Sequence, residues 1–450
     1  MYGIARQTPG DTPFDNRRKA YAITLLLFGF MILNFADKVV LGITGIPIID
    51  DLGLTREQFG VVQSSFYWLF APGAIIGGLL IAKISARWLV AGIALLWVVS
   101  LTPLTGSVTF GVLVASRVLL GFAEGPATAI AMTITHSWFA PNRRALPSSI
   151  VIAGAGVGPV IASPLLTWLM LKHSWHAPFI GLVAVGITWV IIWMVFGAMG
   201  PMDHADDQHA TVAGTVPPRV PYRRLLTTGT MVGLLILFFT TYWAVAVNVS
   251  WGSLYFQEGL GYNASEAGYL MALPFLCAAI LQITAGFFSG WLTSRGHTSR
   301  QSRCLLASAL TAIGGISTVT FATMDRGPLQ MVLIIGGAAM ASGGFGLGFT
   351  AISDVVPARQ RGAVMSFVVA VYSLGALVAP IILGRIVDAA PNLSQGYSRG
   401  YVVVGIILIG GAVVSALLMN PERDTANLRA AADLDDGNRA KEAKGKKTVL

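Results

Sequence analysis

The chain has 450 residues, 54% of them hydrophobic and only 11% charged, with a formal net charge of +9 and a mean hydropathy of +0.70. A soluble domain carries about 25% charged residues, so this composition cannot cover a water-facing surface and excludes an ordinary soluble enzyme or binding module. The net charge alone would suit nucleic acid, but the basic residues fall in short breaks between apolar runs, which argues against that partner.

Residues 1–19 are polar and are read as a cytoplasmic segment, not a cleaved signal, because the first apolar run is long and lacks a small-residue cleavage site. Runs near the bilayer-spanning length of about 20 residues then recur along the chain. Twelve are predicted, in rough limits 20–49, 58–81, 88–104, 109–136, 148–171, 178–198, 228–254, 266–292, 304–323, 329–352, 363–387 and 399–420. They contain Gly, Pro and Ala and lack period-2 alternation, so they read as helices and not as barrel strands. Six lie on each side of 199–227, the longest polar interruption. The predicted fold is all-α and integral to the membrane. It has a six-helix bundle over 20–198, a cytoplasmic linker over 199–227, a second bundle over 228–420 and a cytoplasmic tail over 421–450.

Charge asymmetry sets the expected orientation. With the N-terminus inside, inner segments hold 23 of the 30 Lys and Arg residues, outer loops hold five (Arg56, Lys172, Arg326, Arg385 and Arg399), and Lys38 and Arg117 lie within runs. That is the positive-inside bias, and it places both termini in the cytoplasm. The basic stretch Lys441–Lys447 reads as a solvated segment near anionic lipid. Cys277 and Cys304 give neither a disulfide framework nor a metal motif. The six histidines fall at run ends or in loops, so no metal site or histidine relay is visible.

Four charged residues sit deep inside the runs: Asp37 and Lys38 in the first, Arg117 and Glu124 in the fourth. A charge at mid-membrane costs at least about 2.5–3.5 kcal/mol, so it survives facing a partner or a wet cavity. At 1.5 Å per residue, Asp37 lies about 18 Å below Ile49, Arg117 about 11 Å below Phe110, and Glu124 about 21 Å below it. The depths permit crossed pairs, Asp37 with Arg117 and Lys38 with Glu124. A static cluster that merely ties two helices is the bland alternative, and buried pairs are poor stabilisers compared with apolar replacements. The functional reading is proton coupling. Burial favours a protonated carboxyl and a nearby cation opposes it. A substrate carboxylate that takes Lys38 or Arg117 would free Glu124 to pick up a proton. Asp37 and Glu124 are therefore the expected proton-coupling pair, and Lys38 and Arg117 the expected anion holders.

The two halves carry faint repeats. Gly78-Leu-Leu-Ile-Ala-Lys-Ile-Ser-Ala-Arg87 is echoed by Gly290-Trp-Leu-Thr-Ser-Arg-Gly-His297, and Pro141-Asn-Arg-Arg-Ala145 by Pro357-Ala-Arg-Gln-Arg-Gly362. Together with Asn34-Phe-Ala-Asp-Lys38, Arg117-Val-Leu-Leu-Gly-Phe-Ala-Glu-Gly-Pro126 and Trp175-His-Ala-Pro-Phe179, the chain resembles the major facilitator superfamily, and within it the anion:cation symporter family. The resemblance covers nearly all of 20–420. It implies proton-coupled uptake of an organic anion, either a sugar acid or an aromatic carboxylate. Ala82 stands where the superfamily usually has an Asp that helps lock the outward-facing state, Ser85 stands for a Gly, and Ser294 holds the corresponding acidic place in the second half. Lys38 replaces an Arg frequent in relatives with sugar-acid substrates, and Ser373 replaces a substrate-binding Asn. Both changes weaken the case for a polyhydroxylated acid, and the aromatic residues near the expected cavity, with Ser373, lean the reading toward an aromatic or compact carboxylate.

Tyr67, Tyr242, Trp251 and Tyr372 are further candidates for the cavity wall, with Trp68, Trp243 and Asn248 behind them. Asp354, beside Arg359 and Arg361 at the inner end of the tenth run, reads as a gating ion pair. Gly154, Gly156, Gly158 and Pro159 partly resemble an antiporter glycine motif, although close helix packing explains them as well. The expected protein is a proton-coupled importer of a small organic anion in the cytoplasmic membrane of a bacterium. It is not an enzyme; it needs no cofactor beyond protons, binds no nucleic acid, and works as a monomer among membrane lipids. The alternative is a drug or metabolite antiporter of the same fold.

Overall fold

The computed structural model describes residues 14–81, 83–139, 143–201, 220–357, 360–428 and 430. Ala82, Arg359, positions 202–219 of the linker and the basic tail lie outside the described residues.

Twelve described helices are long and apolar enough to cross a membrane. In the first half they are Arg17–Ile43 (helix 1), Arg56–Ile81 (helix 2), Ala86–Thr105 (helix 3), Phe110–Trp138 (helix 4), Leu146–Lys172 (helix 5) and Ala177–Phe196 (helix 6). In the second they are Gly229–Gly259 (helix 7), Ala264–Ser294 (helix 8), Arg300–Ala322 (helix 9), Pro328–Val355 (helix 10), Ala363–Asp388 (helix 11) and Leu393–Leu418 (helix 12). Each overlaps one predicted run. Side chains such as Leu79, Val195, Phe287 and Leu417 point outward and exposed, as lipid-facing positions require.

Four of the runs are not the unbroken rods the periodicity suggests. Helix 1 stops at Ile43, and a short separate helix, Gly45–Leu52, follows Thr44. Helix 2 divides into Arg56–Ser65 and Phe70–Ile81; Pro72, lacking an N–H, cannot bond the carbonyl of Trp68 across that break. Helix 4 divides at Gly125–Pro126 for the same reason, and helix 10 at Gly344. The depth of Asp37 is therefore counted from Ile43 rather than Ile49.

The same pairings occur twice. Helix 1 packs on 5, helix 3 on 4 and 6, and helix 2 on 4; helix 7 packs on 11, helix 9 on 10 and 12, and helix 8 on 10. A local detail repeats as well. Arg144 donates to the carbonyl of Phe139 at 2.9 Å, and Arg361 to that of Val356 at 3.1 Å, each reaching five residues back over the end of helix 4 or helix 10. Between the halves, helix 2 meets helix 11, helix 5 meets helix 8, and helix 1 meets helix 7. Helix 2 makes its contact with helix 11 mainly through Arg56–Ser65, the part at the end opposite the termini.

Candidate functional site

The charged residues of helices 1 and 4 come together against the break in helix 2. That approach depends on a missing side chain. A Cβ on Gly121, one turn before Glu124, would lie 1.7 Å from the carbonyl oxygen of Phe66, and one on Gly73 would lie 2.0 Å from that of Phe122. Helices 2 and 4 therefore touch backbone to backbone, which sets Phe66 and Tyr67 beside the charges.

Asp37, Arg117 and Glu124 are almost completely buried. Lys38 Nζ lies 3.0 Å from Glu124 Oε2 and donates to Asn34 Oδ1 at 3.0 Å. Its ammonium also sits 4.0 Å from the centre of the Phe35 ring, a contact that offsets part of its burial. The second crossed pair differs from expectation. Arg117 Nη1 donates to the backbone carbonyl of Asp37 at 3.3 Å, and no ion pair joins the two side chains among the described residues. Its guanidinium lies 5.2 Å from the Phe66 ring centre. Arg117 Nε, Asn34 Nδ2 and Glu124 Oε1 are buried without a hydrogen-bond partner. Buried donors are normally satisfied, so this cluster holds unused hydrogen-bonding capacity.

The second half supplies an aromatic wall. Tyr67 meets Tyr242 edge-on with ring centres 6.1 Å apart, and Tyr242 lies 4.4 Å from Tyr372. Phe345, at the break of helix 10, completes the group 5.8 Å from Tyr372. Two predicted wall residues fall elsewhere. Trp251 is fully buried between Phe59 and Tyr397 and donates to the carbonyl of Pro380 at 3.2 Å, so it seals helices rather than lining a cavity. Ser373 is buried and donates to the carbonyl of Ala370 at 2.7 Å, tied to its own helix. Trp68 is 44% exposed, and its indole N–H donates to Ser64 Oγ at 3.3 Å. Gly154 and Gly158 abut the carbonyls of Phe28 and Ile32, which is the close-packing role.

At the end opposite the termini the halves are locked. Arg56 Nη2 and Glu258 Oε1 are 2.6 Å apart, and Tyr397 donates to the other oxygen of Glu258 at 2.7 Å. Glu57 accepts from Arg385 at 2.6 Å. Asp388 accepts from the backbone N–H groups of Arg56 and Glu57 at 3.1 and 2.7 Å, capping the start of helix 2 from the end of helix 11. Glu258 belongs to a π-helical turn, Tyr255–Gly259, at the end of helix 7; such turns re-aim side chains within a helix. Deeper in the seam, Gln63 donates to the carbonyl of Ser250 at 3.2 Å and Ser64 to that of Leu377. Gly42 lets helix 1 press on helix 7, since a Cβ there would lie 2.3 Å from the carbonyl of Val249. Sequence reasoning missed this lock. Its signal was the scarcity of outer charge: Arg56 and Arg385 are two of only five basic residues assigned to that side.

The inner end of helix 10 also differs from expectation. Asp354 pairs with Arg303 and accepts from Ser299, both on the helix 9 side of the same half. Arg361 donates instead to the carbonyls of Ser353 and Val356, so it does not pair with Asp354, and Arg359 lies outside the described residues. No group of three or more metal-ligating side chains occurs among the described residues.

The Major Facilitator Superfamily model matches residues 26–341, more than half of the chain. The chain belongs to that superfamily. Similar proteins include the probable galactarate/D-glucarate transporter of Bacillus subtilis, 26% identical over 89% of this chain and 94% of that protein. The D-galactonate transporter of Escherichia coli is 23% identical over 89% and 96%. Among solved structures, an occupied, inward-facing bacterial homologue of the human lysosomal transporter Spinster shares the fold, with TM-score 0.77, 18% identity, and 93% and 99% coverage. This superfamily member is thus a multi-pass membrane transporter, not an enzyme, and its relatives transport sugar acids and other anions.

Proposed function

We propose that the chain imports a small organic carboxylate together with one or more protons, by alternating access, with both termini in the cytoplasm. The buried Lys38–Glu124 ion pair beside Arg117 carries this reading. Arg117 has Nε free of any protein acceptor, a position suited to a carboxylate oxygen. An anion that takes Lys38 leaves Glu124 buried beside fewer cations, and protonation then relieves it. Protein and cargo return to neutrality together. The relatives named for sugar acids support a carboxylate as cargo, while the Tyr67–Tyr242–Tyr372 wall suits the flat face of an aromatic acid. With the positive-inside orientation, the locked end faces outward, so this conformation is closed to the outside.

The test is uptake of labelled D-galactonate, D-glucarate, D-glucuronate and benzoate by proteoliposomes under an inside-alkaline gradient. Accumulation that collapses with a protonophore is expected for at least one of them. Uptake that ignores the pH gradient and requires sodium removes proton coupling. Failure of every carboxylate removes the anion reading.

A further inference from the structure

Asn34 stands one turn before Lys38 on the same face of helix 1, buried at 1% exposure. Its Oδ1 accepts from Lys38 Nζ at 3.0 Å, and the same Nζ lies 3.0 Å from Glu124 Oε2. One ammonium therefore holds an amide oxygen and a carboxylate oxygen no more than twice that distance apart. An ammonium only donates, so the amide turns its oxygen to Lys38 and its nitrogen away. That nitrogen, Asn34 Nδ2, is buried without a hydrogen-bond partner, as is Glu124 Oε1. An unused donor and an unused acceptor thus flank the same cation, and buried polar groups left unpaired are costly.

Exposure gives the cluster a direction. Lys38 keeps 14% of its side chain accessible and Glu124 none. An arriving anion therefore meets the ammonium first and draws it off the two oxygens behind it. Both oxygens then lose their partner at once. Glu124 takes up a proton, and its new O–H needs an acceptor. Lys38 and Arg117 offer only donors. The other ionisable groups within electrostatic reach of Glu124 are Asp37 on helix 1, Tyr67 on helix 2 and Tyr242 on helix 7. A carboxylate meets an acid without a donor, and a tyrosine hydroxyl meets it at a single atom. A primary amide matches it at both oxygens, as acceptor to the O–H and as donor to the carbonyl.

Resting on the proton-coupled anion reading above, we propose that Asn34 is the partner of the protonated form of Glu124. In the empty site Asn34 holds Lys38 on the Glu124 carboxylate. In the loaded site its oxygen, vacated by Lys38, accepts from the Glu124 hydroxyl, and its N–H donates to the other carboxyl oxygen. The proton comes from water, and the O–H of Glu124 is the one covalent bond formed in the protein. The donor and the acceptor left unused in the empty site are then both used. A hydrogen bond to the neutral form favours that form, so Asn34 is a positioning residue that makes the proton follow the cargo.

The test is the infrared difference spectrum of the purified full-length protein with and without D-galactonate or benzoate, read together with the protons taken up per acid bound. In the wild type, binding is expected to bring a protonated-carboxyl band that is absent in Glu124→Gln. That band should lie at the lowered frequency of a carboxylic acid hydrogen-bonded at both oxygens. Asn34→Leu keeps the side-chain volume and removes the amide. There the band is expected to shift up toward an unbonded acid, and proton uptake to fall, a pair of changes that a merely structural role would not produce. A wild-type band at the frequency of an unbonded acid overturns the proposal without any variant. An Asn34→Leu protein that keeps the wild-type band and uptake overturns it as well. Failure of the reading beneath it looks different: either no acid binds the wild type, or binding brings no protonated-carboxyl band at all.

Discussion

Replacing Glu258 by Gln removes the charge that holds Arg56 at the locked end without changing side-chain size. In the locked state the two side chains are only 11% and 22% exposed, so Arg56 would keep its charge in a poorly hydrated place and lose its counter-ion. Breaking a fully buried pair costs about 3–5 kcal/mol. Partial hydration of this one reduces the figure to about 1–3 kcal/mol. In the opened state both residues meet water and the substitution is nearly neutral. The whole cost therefore falls on the locked state and raises the opened-to-locked ratio about 5- to 150-fold. Distances between spin labels at Ser107 and Thr323, on outer loops of the two halves, would report the shift in a background lacking Cys277 and Cys304. A population at longer distance should appear in Glu258→Gln. It should be weaker in Asp388→Ala, which loses a helix cap worth about 1 kcal/mol. It should be absent in Arg385→Gln, whose pair is 65% and 41% exposed and worth little. Unchanged distances in Glu258→Gln, or an effect in Arg385→Gln as large as in Glu258→Gln, would refute the reasoning.

Glu124→Gln should abolish gradient-driven accumulation in proteoliposomes while preserving counterflow exchange, since the amide imitates the protonated acid; normal accumulation would assign the proton to another group. Arg117→Gln should weaken carboxylate binding at least ten-fold by calorimetry, in keeping with loss of a charge-assisted hydrogen bond of about 1.5–3 kcal/mol, and undiminished binding would remove Arg117 from the site. Gly121→Ala should lower the unfolding temperature and transport together, because its methyl meets the Phe66 carbonyl and overpacking costs about 1–3 kcal/mol. Gly78→Ala on helix 2, where nothing lies within 4 Å, serves as the unperturbed comparison.

Much of this protein is written locally in the chain. Twelve apolar runs of bilayer length leave no alternative to a helical bundle, because backbone groups in lipid must be satisfied within each helix. Charges as costly as Asp37, Lys38, Arg117 and Glu124 mark the centre of the bundle wherever they occur. The breaks in helices 2 and 4 were available too, in Pro72 and Pro126, although the apolar pattern ran across them. Tertiary structure decided what depends on the rotation of each helix about its axis and on contacts hundreds of residues apart. Rotation and close approach turned Arg117 toward a backbone carbonyl instead of the Asp37 carboxylate, and placed Trp251 in a seal. The Glu258–Arg56 and Asp388–helix 2 contacts join positions 202 and 332 residues apart, and Asp354 found Arg303 across a helix pair. No sequence period encodes such partners, because each arises only when helices far apart in the chain pack against one another.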